Sequence, residues 1–437
     1  MNLAGWGRYP ILSGRLLRPR DCAAAVAAAE VGGLIARGNG RAYGDAAINR
    51  ETTLSMLDCD RILAFSPEDG RLTCEAGTLL SDIIALFVPK GWFPPVTPGT
   101  KFVTVGGMVA ADVHGKNHHK VGSFGHHVES FDLATGAGVF FCSPSENADL
   151  FAATLGGMGL TGVILRVTFR LMPIETAFIR QETVRARNLD AAMSLFEESL
   201  DWTYSVAWID CLARGDSLGR SLLYRGEHAR LDELPADLRA APLYPPAKRK
   251  LSVPLDLPSW TLNRYSVGLF NALYYGKGKP GTALIDYDTF FYPLDAILNW
   301  NRIYGGAGFT QYQCVLPKAA SPAGLRLLLD RIARSGGGSF LAVLKLFGPQ
   351  DGMMSFPMDG YTLALDFPAS AATFNLLNEL DAIVSDHGGR LYLAKDARAG
   401  AATIQRGYPA LDHFRAIRGG VAAQDCFFSL QSRRLAL

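Results

Sequence analysis

No two cysteines in this chain of 437 residues stand in C-x-x-C spacing, no apolar stretch is long enough to span a bilayer, and neither sign of charge dominates. The first absence excludes zinc ribbons and dithiol redox motifs. The seven cysteines (Cys22, Cys59, Cys74, Cys142, Cys211, Cys314 and Cys426) are scattered and odd in number, which also argues against a disulfide framework and suits reduced thiols in the cytoplasm. The second absence excludes a membrane-spanning apolar helix, and the opening MNLAGWGRYP lacks the basic-then-apolar profile of a secretory signal. The third, with 43 Lys and Arg against 41 Asp and Glu, gives no case for nucleic acid. There is no internal repeat. What remains is a globular chain, 49% apolar and 19% charged, too long for one core and comfortable for two domains.

What is abundant is glycine beside histidine. Residues 104–128 hold five of the eight histidines (His114, His118, His119, His126, His127) among Gly106, Gly107, Gly115, Gly122 and Gly125. Glycine lets backbone approach a ligand closely, and histidine supplies hydrogen bonds and titrates near neutrality. A metal site is disfavoured, because His118 and His119 are adjacent and no carboxylate or thiol set stands at ligand spacing. A loop wrapped around a large polar cofactor suits the glycines better. A second cluster, Ile35 to Asp45, follows an apolar run from Val31 to Ala36 that reads as a strand. Its Gly38 and Gly40 could form an anion-binding nest, with Arg37 and Arg41 suited to a diphosphate. It lacks the full GxGxxG and no long helix follows at once, so a Rossmann site is disfavoured. A surface turn is the plainer alternative.

Along the chain, Thr53–Leu57, Ile62–Phe65 and Arg71–Glu75 read as strands, the last two joined by a turn at Asp69-Gly70. Leu79–Val88 has helical spacing, with Gly91 as its stop. Glu146–Leu155 reads as a helix and Val163–Leu171 as a strand, with a third glycine cluster at 156–162 between them. After Pro173, strand-like Thr203–Asp210, Thr310–Leu316, Ser339–Phe347 and Tyr361–Phe367 alternate with helical Ala323–Arg334 and Ala371–His387. That pattern predicts an antiparallel sheet with helices packed on it, and an α+β fold for the whole. The charged segment 228–250 reads as a mobile excursion. Segment 251–275 is rich in Leu, Trp, Tyr and Phe but broken by Pro254 and Pro258. It is either a loop covering a core or an apolar patch for a lipid-like substrate or membrane surface.

RGNGRAYGD (37–45), the run 95–125 and LGGMGLTGVILRVTFRL (155–171) together resemble the FAD-linked oxidoreductases of the vanillyl-alcohol-oxidase type. DVHGKNHH, GFTQYQ, KLFGP, LDFP and GGRLYLAKDAR resemble, within these, the decaprenylphosphoryl-β-D-ribose 2′-oxidases. Those are the flavoprotein half of the epimerase that makes the arabinose donor of the mycobacterial cell wall. The resemblance runs nearly end to end. It implies a two-domain fold: an FAD domain of two subdomains over 1–173, a substrate domain on an antiparallel sheet over 174–388, and a return to the FAD domain over 389–437.

By the same resemblance, Arg37, Gly38, Asn39, Gly40, Arg41, Ala42 and Tyr43 match the diphosphate-cradling turn. Pro98, Gly99, Thr100, Thr104, Val105, Gly106, Gly107 and Ala110 match the flavin-wrapping segments, as do Asp112, His114, Gly115, Asn117 and His118. Ser123, Gly125, Gly162 and Ile164 complete that shell. Lys395 matches the active-site lysine beside the flavin; it would polarise the substrate hydroxyl, assist its deprotonation or hold the reduced flavin's charge. Tyr43, Gln313 and Gln311 match groups flanking the substrate, and Trp208 and Lys345 match pocket-lining positions. His114 stands near the isoalloxazine or only ties down its loop. Covalent flavoproteins of this type often carry a histidine in the first glycine turn. None occurs between residues 30 and 50, so non-covalent FAD is expected. One departure is Ala364, where mycobacterial members carry a cysteine: it offers no nucleophile, and a thiol-directed inhibitor lacks its target.

The implied reaction is oxidation of the 2′-hydroxyl of a polyprenyl-phosphoryl pentose to a ketone. An NAD(P)H-dependent short-chain reductase would be the partner that completes an epimerisation, and peripheral contact with the inner membrane would go with it. No metal is expected. The competing expectations are an alditol, aldose or lactone oxidase acting on a free sugar, and a flavin-free scaffold of the same fold.

Overall fold

The computed structural model describes residues 1–246, 248 and 250–437. Its first layer is a small parallel sheet. β1 (Arg15–Leu17), helix α1 (Cys22–Val31), β2 (Leu34–Arg37) and β3 (Thr52–Ser55) follow in the chain, and the strands lie in the order β1-β3-β2. Asp21 starts α1 by accepting from the Ala24 N–H at 2.8 Å. The strand expected from Val31 begins at Leu34 instead. Val31 closes the helix, and Gly32 and Gly33, at φ of 72° and 68°, turn the chain between them.

The second layer is a five-stranded antiparallel sheet. β4 (Ile62–Phe65), β5 (Arg71–Glu75), β6 (Val128–Thr135), β7 (Gly138–Cys142) and β8 (Val163–Arg170) lie in the order β7-β6-β8-β5-β4. Helix α2 (Leu80–Phe87) buries Leu80, Ile83, Ile84 and Phe87, the i, i+3, i+4, i+7 stripe of an amphipathic helix, in the core of this layer. Short helix α3 (Val105–Ala110) carries the glycine pair 106–107, and α4 (Ala148–Thr154) precedes the third glycine cluster.

The third layer is an eight-stranded sheet. Its strands are β9 (Phe178–Ala186), β10 (Tyr204–Ile209), β11 (Ser221–His228), β12 (Gly281–Asp286), β13 (Phe309–Pro317), β14 (Ala342–Phe347), β15 (Gly360–Pro368) and β16 (Arg390–Leu391). They lie in the order β12-β9-β11-β10-β14-β15-β13-β16, and every pair is antiparallel. Strand alternation decides what each face carries. Cys314, Leu316, Leu363, Leu365 and Leu344 share a core with Leu325, Leu328 and Leu329 of α5 (Ser321–Ser335) and Leu376, Leu377 and Leu380 of α6 (Ala371–Asp386). The alternate residues, among them Trp208, Val343, Lys345, Ala364, Asp366, Gln311 and Gln313, line a cavity.

Two expectations are corrected. Segment 251–275 is not all loop: Asn263 caps a helix over Arg264–Lys277 that anchors on the sheet through Asn271 Nδ2, 2.8 Å from Asp210 Oδ1. Apolar residues on two faces hid this helix from a one-stripe pattern. Segment 228–250 is ordered in large part, with Leu234 buried against Phe178 and Ala229 and Lys248 Nζ donating to Asp286 Oδ1 at 2.5 Å; its residues 247 and 249 lie outside the described residues.

The C-terminal segment ties the layers together. Phe427 bridges to Leu34 at the edge of the parallel sheet. From the last helix (Leu430–Leu435), Arg434 reaches two buried carboxylates at once, Asp45 and Asp396, each at 2.8 Å. Removing one partner of a buried ion pair costs about 3–5 kcal/mol. Arg434→Met is therefore expected to lower the unfolding free energy by about that amount in urea titration. A change below 1 kcal/mol would mean the pair is not needed.

Candidate active site

The cavity has a volume of about 1060 Å³ and lies between the parallel sheet with its glycine turns and the bare face of the eight-stranded sheet. One wall is the turn 37–43. Gly38 is required there because a side chain would strike Thr104 Oγ1, which caps α3 by accepting from the Gly107 N–H at 3.2 Å. Gly40 takes a φ of 63°, which disfavours any side chain. The two arginines differ. Arg37 already donates to the carbonyls of Ala4, at 2.8 Å, and Ala47, at 3.4 Å, so it braces the turn rather than offering a free charge. Arg41 stacks on Trp6 at 4.1 Å and leaves its buried Nε without a partner among the described residues.

A second wall is the turn 392–396. Asp396 receives the N–H groups of Arg398 and Ala399 and holds Arg434, while Tyr392 donates its hydroxyl to the Ala111 carbonyl at 2.9 Å. The Tyr43 N–H donates to the Ala394 carbonyl at 2.9 Å. This scaffold sets Lys395 Nζ over the Tyr43 ring, 3.9 Å from its centroid. Beside them Gln311 Nε2 donates to Asp366 Oδ1 at 2.6 Å and to the Tyr43 hydroxyl at 3.3 Å. Asp366 Oδ2 is buried with no partner among the described residues. Burial lowers the Lys395 ammonium to about 7, with Asp366 opposing and Lys345 adding to the shift. Burial raises the Asp366 carboxyl to about 7, against the pull of Gln311 and Lys395. Each group is pushed toward its neutral form.

His114 lies on the cavity wall with its Nε2 3.0 Å from Gln313 Nε2. With the amide donating, the imidazole proton rests on Nδ1, which is buried and has no partner among the described residues. Burial, with the charges of Lys345, His118 and Lys395, holds this histidine well below its usual range, so it is neutral at pH 7 and presents one N–H donor.

The structure brings most of the expected residues to this cavity: 37–43, Pro98, Gly99, Thr100, Thr104, Gly106, Gly107, Ala110, His114, Gly115, Gly162, Ile164, Trp208, Gln311, Gln313, Lys345, Ala364 and Lys395. Six do not line it: Val105, Asp112, Asn117, His118, Ser123 and Gly125. They brace the loop from behind. Asp112 accepts from Ser123, Gly125 and Ser355, Asn117 donates to the Pro95 carbonyl, and His118 meets Gln350 and the Phe347 ring. Asp366 and Lys116 are cavity residues that sequence reasoning missed, whereas the inward side of the 264–277 helix falls in the segment offered as a patch for a lipid-like substrate. Asp366 stands two residues beyond Ala364, so strand alternation alone could have found it. Among the described residues no cluster of His, Cys, Asp or Glu is placed to hold a metal.

The model of a family described as an FAD binding domain matches residues 19–143. Over its full length the chain is 40% identical to a decaprenylphosphoryl-β-D-ribose oxidase of Mycolicibacterium smegmatis, covering 97% of that protein. The chain belongs to the decaprenylphosphoryl-β-D-ribose oxidase family. A second relative, an uncharacterized protein of Streptomyces coelicolor, is 37% identical over 82% of this chain and all of its own length. Similarity to the L-gulonolactone oxidase of Mus musculus, 31%, is confined to 37% of each chain. This family member is an FAD-dependent oxidoreductase acting on CH–OH groups, with an α+β fold of the vanillyl-alcohol-oxidase type.

The residues present fit FAD. The side-chain-free cradle at Gly38 and Gly40 and the unpartnered Arg41 Nε suit its diphosphate, and His114 Nδ1–H offers a donor to the ring system. We propose these as the contacting groups. Among the described residues no cysteine lines the cavity, and His114 is its one histidine. Acid precipitation is expected to release all the yellow colour. Flavin fluorescence on the denatured chain would refute non-covalent binding.

Proposed function

We propose that the chain oxidises the 2′-hydroxyl of a polyprenyl-phosphoryl pentose, of the decaprenylphosphoryl-β-D-ribose type, to the 2′-ketone. One observation carries this reading. The polar cage around Lys395 opens, within one cavity, into an apolar gallery formed by Val206, Leu262, Phe270, Tyr274, Leu294 and Ile297 beneath the 264–277 helix. A free sugar has no use for such a gallery, whereas a prenyl chain does. The resemblance to a relative named for a lipid-linked ribose supports the same substrate class.

Bound FAD supplies the two-electron acceptor for the C2–H hydride. The chain must hold the sugar and take the hydroxyl proton. Gln311, Gln313 and Tyr43 offer hydrogen bonds that orient the ring. The Lys395 amine, in its neutral form, accepts the O–H proton as the carbonyl forms, and Asp366 stabilises the resulting ammonium. A positioned acid–base group contributes about 10²–10⁴-fold, so Lys395→Met is expected to keep its FAD and lose that much in anaerobic flavin reduction. Only the neutral amine accepts a proton, so wild-type reduction should rise with pH through about 7 and level off above it. A mutant as fast as wild type, or a rate that falls over this range, would reject the assignment. Bleaching by free aldoses or lactones but not by the lipid-linked pentose would overturn the substrate.

The ketone would pass to an NAD(P)H-dependent short-chain reductase that returns the opposite configuration, which makes this oxidation half of an epimerisation. We further propose that the protein works at the face of the inner membrane, where such a substrate resides. No helix among the described residues is long and apolar enough to cross a membrane. The 264–277 helix instead points Tyr265, Leu269 and Leu273 outward at 73%, 63% and 54% exposure, with Trp260 beside them at 74%. No acidic residue occurs between Asp256 and Asp286, while Arg264, Lys277 and Lys279 do, a charge balance suited to anionic lipid. The protein should sediment with phosphatidylglycerol vesicles. The double variant Leu269→Glu, Leu273→Glu should remain in the supernatant with full FAD content. Equal sedimentation of both would remove the helix from this role.

A further inference from the structure

Two half-buried lysines on the cavity wall have no carboxylate partner among the described residues. Lys345 of β14 faces the cavity and pairs across the sheet with Thr362 of β15. Lys116 follows the His114-Gly115 turn, and its carbonyl accepts the Ser205 N–H at 2.9 Å, which places it at the start of β10. Its ammonium lies 4.3 Å from the Phe290 ring centroid and donates to the Phe290 carbonyl. Among the described residues neither lysine forms an ion pair, and Lys345 donates no hydrogen bond, with no carboxylate acting on either charge. Burial lowers Lys116 to about 7, with Lys345 adding to the shift, and burial lowers Lys345 to about 8. A desolvated charge without a counter-ion is costly. Two in one chamber call for an anion brought by a ligand.

The sheet register gives the distance at which that anion would lie. Asp366 and Gln311 form one cross-strand row, Trp208, Val343, Ala364 and Gln313 the next on this face, and Lys345 and Thr362 the third. Asp366 and Thr362 are four residues apart on one strand, about 14 Å at about 3.4 Å per residue. Side chains reaching inward from both ends leave room for one sugar ring with one phosphate.

We propose that Lys116 and Lys345 form an anion subsite that grips the phosphodiester of the substrate, fixing the sugar so that its 2′-hydroxyl meets Lys395 and Asp366. This rests on the polyprenyl-phosphoryl reading above. The subsite is separate from the turn 37–43 proposed for the cofactor's diphosphate, because it is built on the eight-stranded sheet and the loop after His114. A phosphodiester accepts charge-assisted hydrogen bonds from both ammonium groups, and the ring faces of Phe290 and Phe291 exclude water that would weaken them.

The test uses the FAD-loaded full chain. Inorganic phosphate is titrated calorimetrically at low ionic strength into wild type, Lys116→Met, Lys345→Met and Lys345→Arg. Wild type and Lys345→Arg should bind, and each Met variant should bind about tenfold or more weakly with unchanged FAD content. In anaerobic flavin reduction by a polyprenyl-phosphoryl ribose, each Met variant should raise the half-saturating concentration by a similar factor while the limiting rate changes less than about threefold. An alkyl riboside without phosphate should not distinguish the variants. Phosphate bound equally by all four proteins would overturn the proposal. So would loss of FAD in the Met variants, which would assign the lysines to the cofactor, or a fall in limiting rate alone. Should the lipid-linked sugar fail as a substrate, the phosphate titration still reads the subsite, so the two failures are distinguishable.

Discussion

Two buried carboxylates facing one guanidinium hold the site together. Asp45 belongs to the first glycine turn, Asp396 to the turn that carries Lys395, and Arg434 to the last helix, so this contact joins three distant parts of the chain at the back of the cavity. Burial raises the Asp45 carboxyl despite Arg434. At Asp396, Arg434 and two backbone N–H groups outweigh burial and hold the carboxyl low. Of the two, Asp396 is the firmer anion, and it is the one that shapes the lysine turn. The Gln431 amide adds to this by donating to the Leu393 carbonyl at 2.8 Å.

The rest of the site follows from what that scaffold forces on its side chains. It places a half-buried amine against a tyrosine ring, on the wall of a cavity that a buried carboxyl also lines. In such surroundings the charged forms lose their hydration, and proton affinities that are far apart in water are drawn together. The same low-dielectric chamber explains why His114 is neutral and why Lys116 and Lys345 are weakened as cations. The cavity is thus graded. The part at Lys395 and Tyr43 is suited to exchanging a proton and adjoins the apolar Leu262, Leu294 and Ile297, Gln313 and His114 offer amide and imidazole hydrogen bonds, and Lys116 and Lys345 add positive charge.

Much of this was legible in the sequence, for identifiable reasons. The strands of the eight-stranded sheet alternate so regularly that Gln311 with Gln313, and Val343 with Lys345, could be placed on one face from spacing alone. Helix α2 declared itself by a single apolar stripe ended by Gly91, which takes a φ of 80°. The 264–277 helix did not, because an element that lines a cavity with one side and presents apolar residues outward with the other has no polar stripe to set its period. Val31 misled for a related reason: an alanine-rich helix running into two glycines and a buried strand gives one unbroken apolar text. The six residues that brace the loop from behind share a motif with residues that line the cavity, and adjacency in sequence does not say which way a side chain turns.

By itself the sequence determined many of the element types, the glycine-rich turns, and the family whose motifs these are. Those properties are local, set by side-chain size, periodicity and allowed φ. The tertiary structure decided the rest. It decided that Arg37 is occupied by carbonyls while Arg41 keeps a free Nε among the described residues, that Asp366 lines the same cavity as Lys395, and that Lys116 and Lys345 line it with no ion pair among the described residues. These are matters of burial and of distance between residues far apart in the chain, and desolvation energy depends on everything that surrounds a charge, which no stretch of sequence contains.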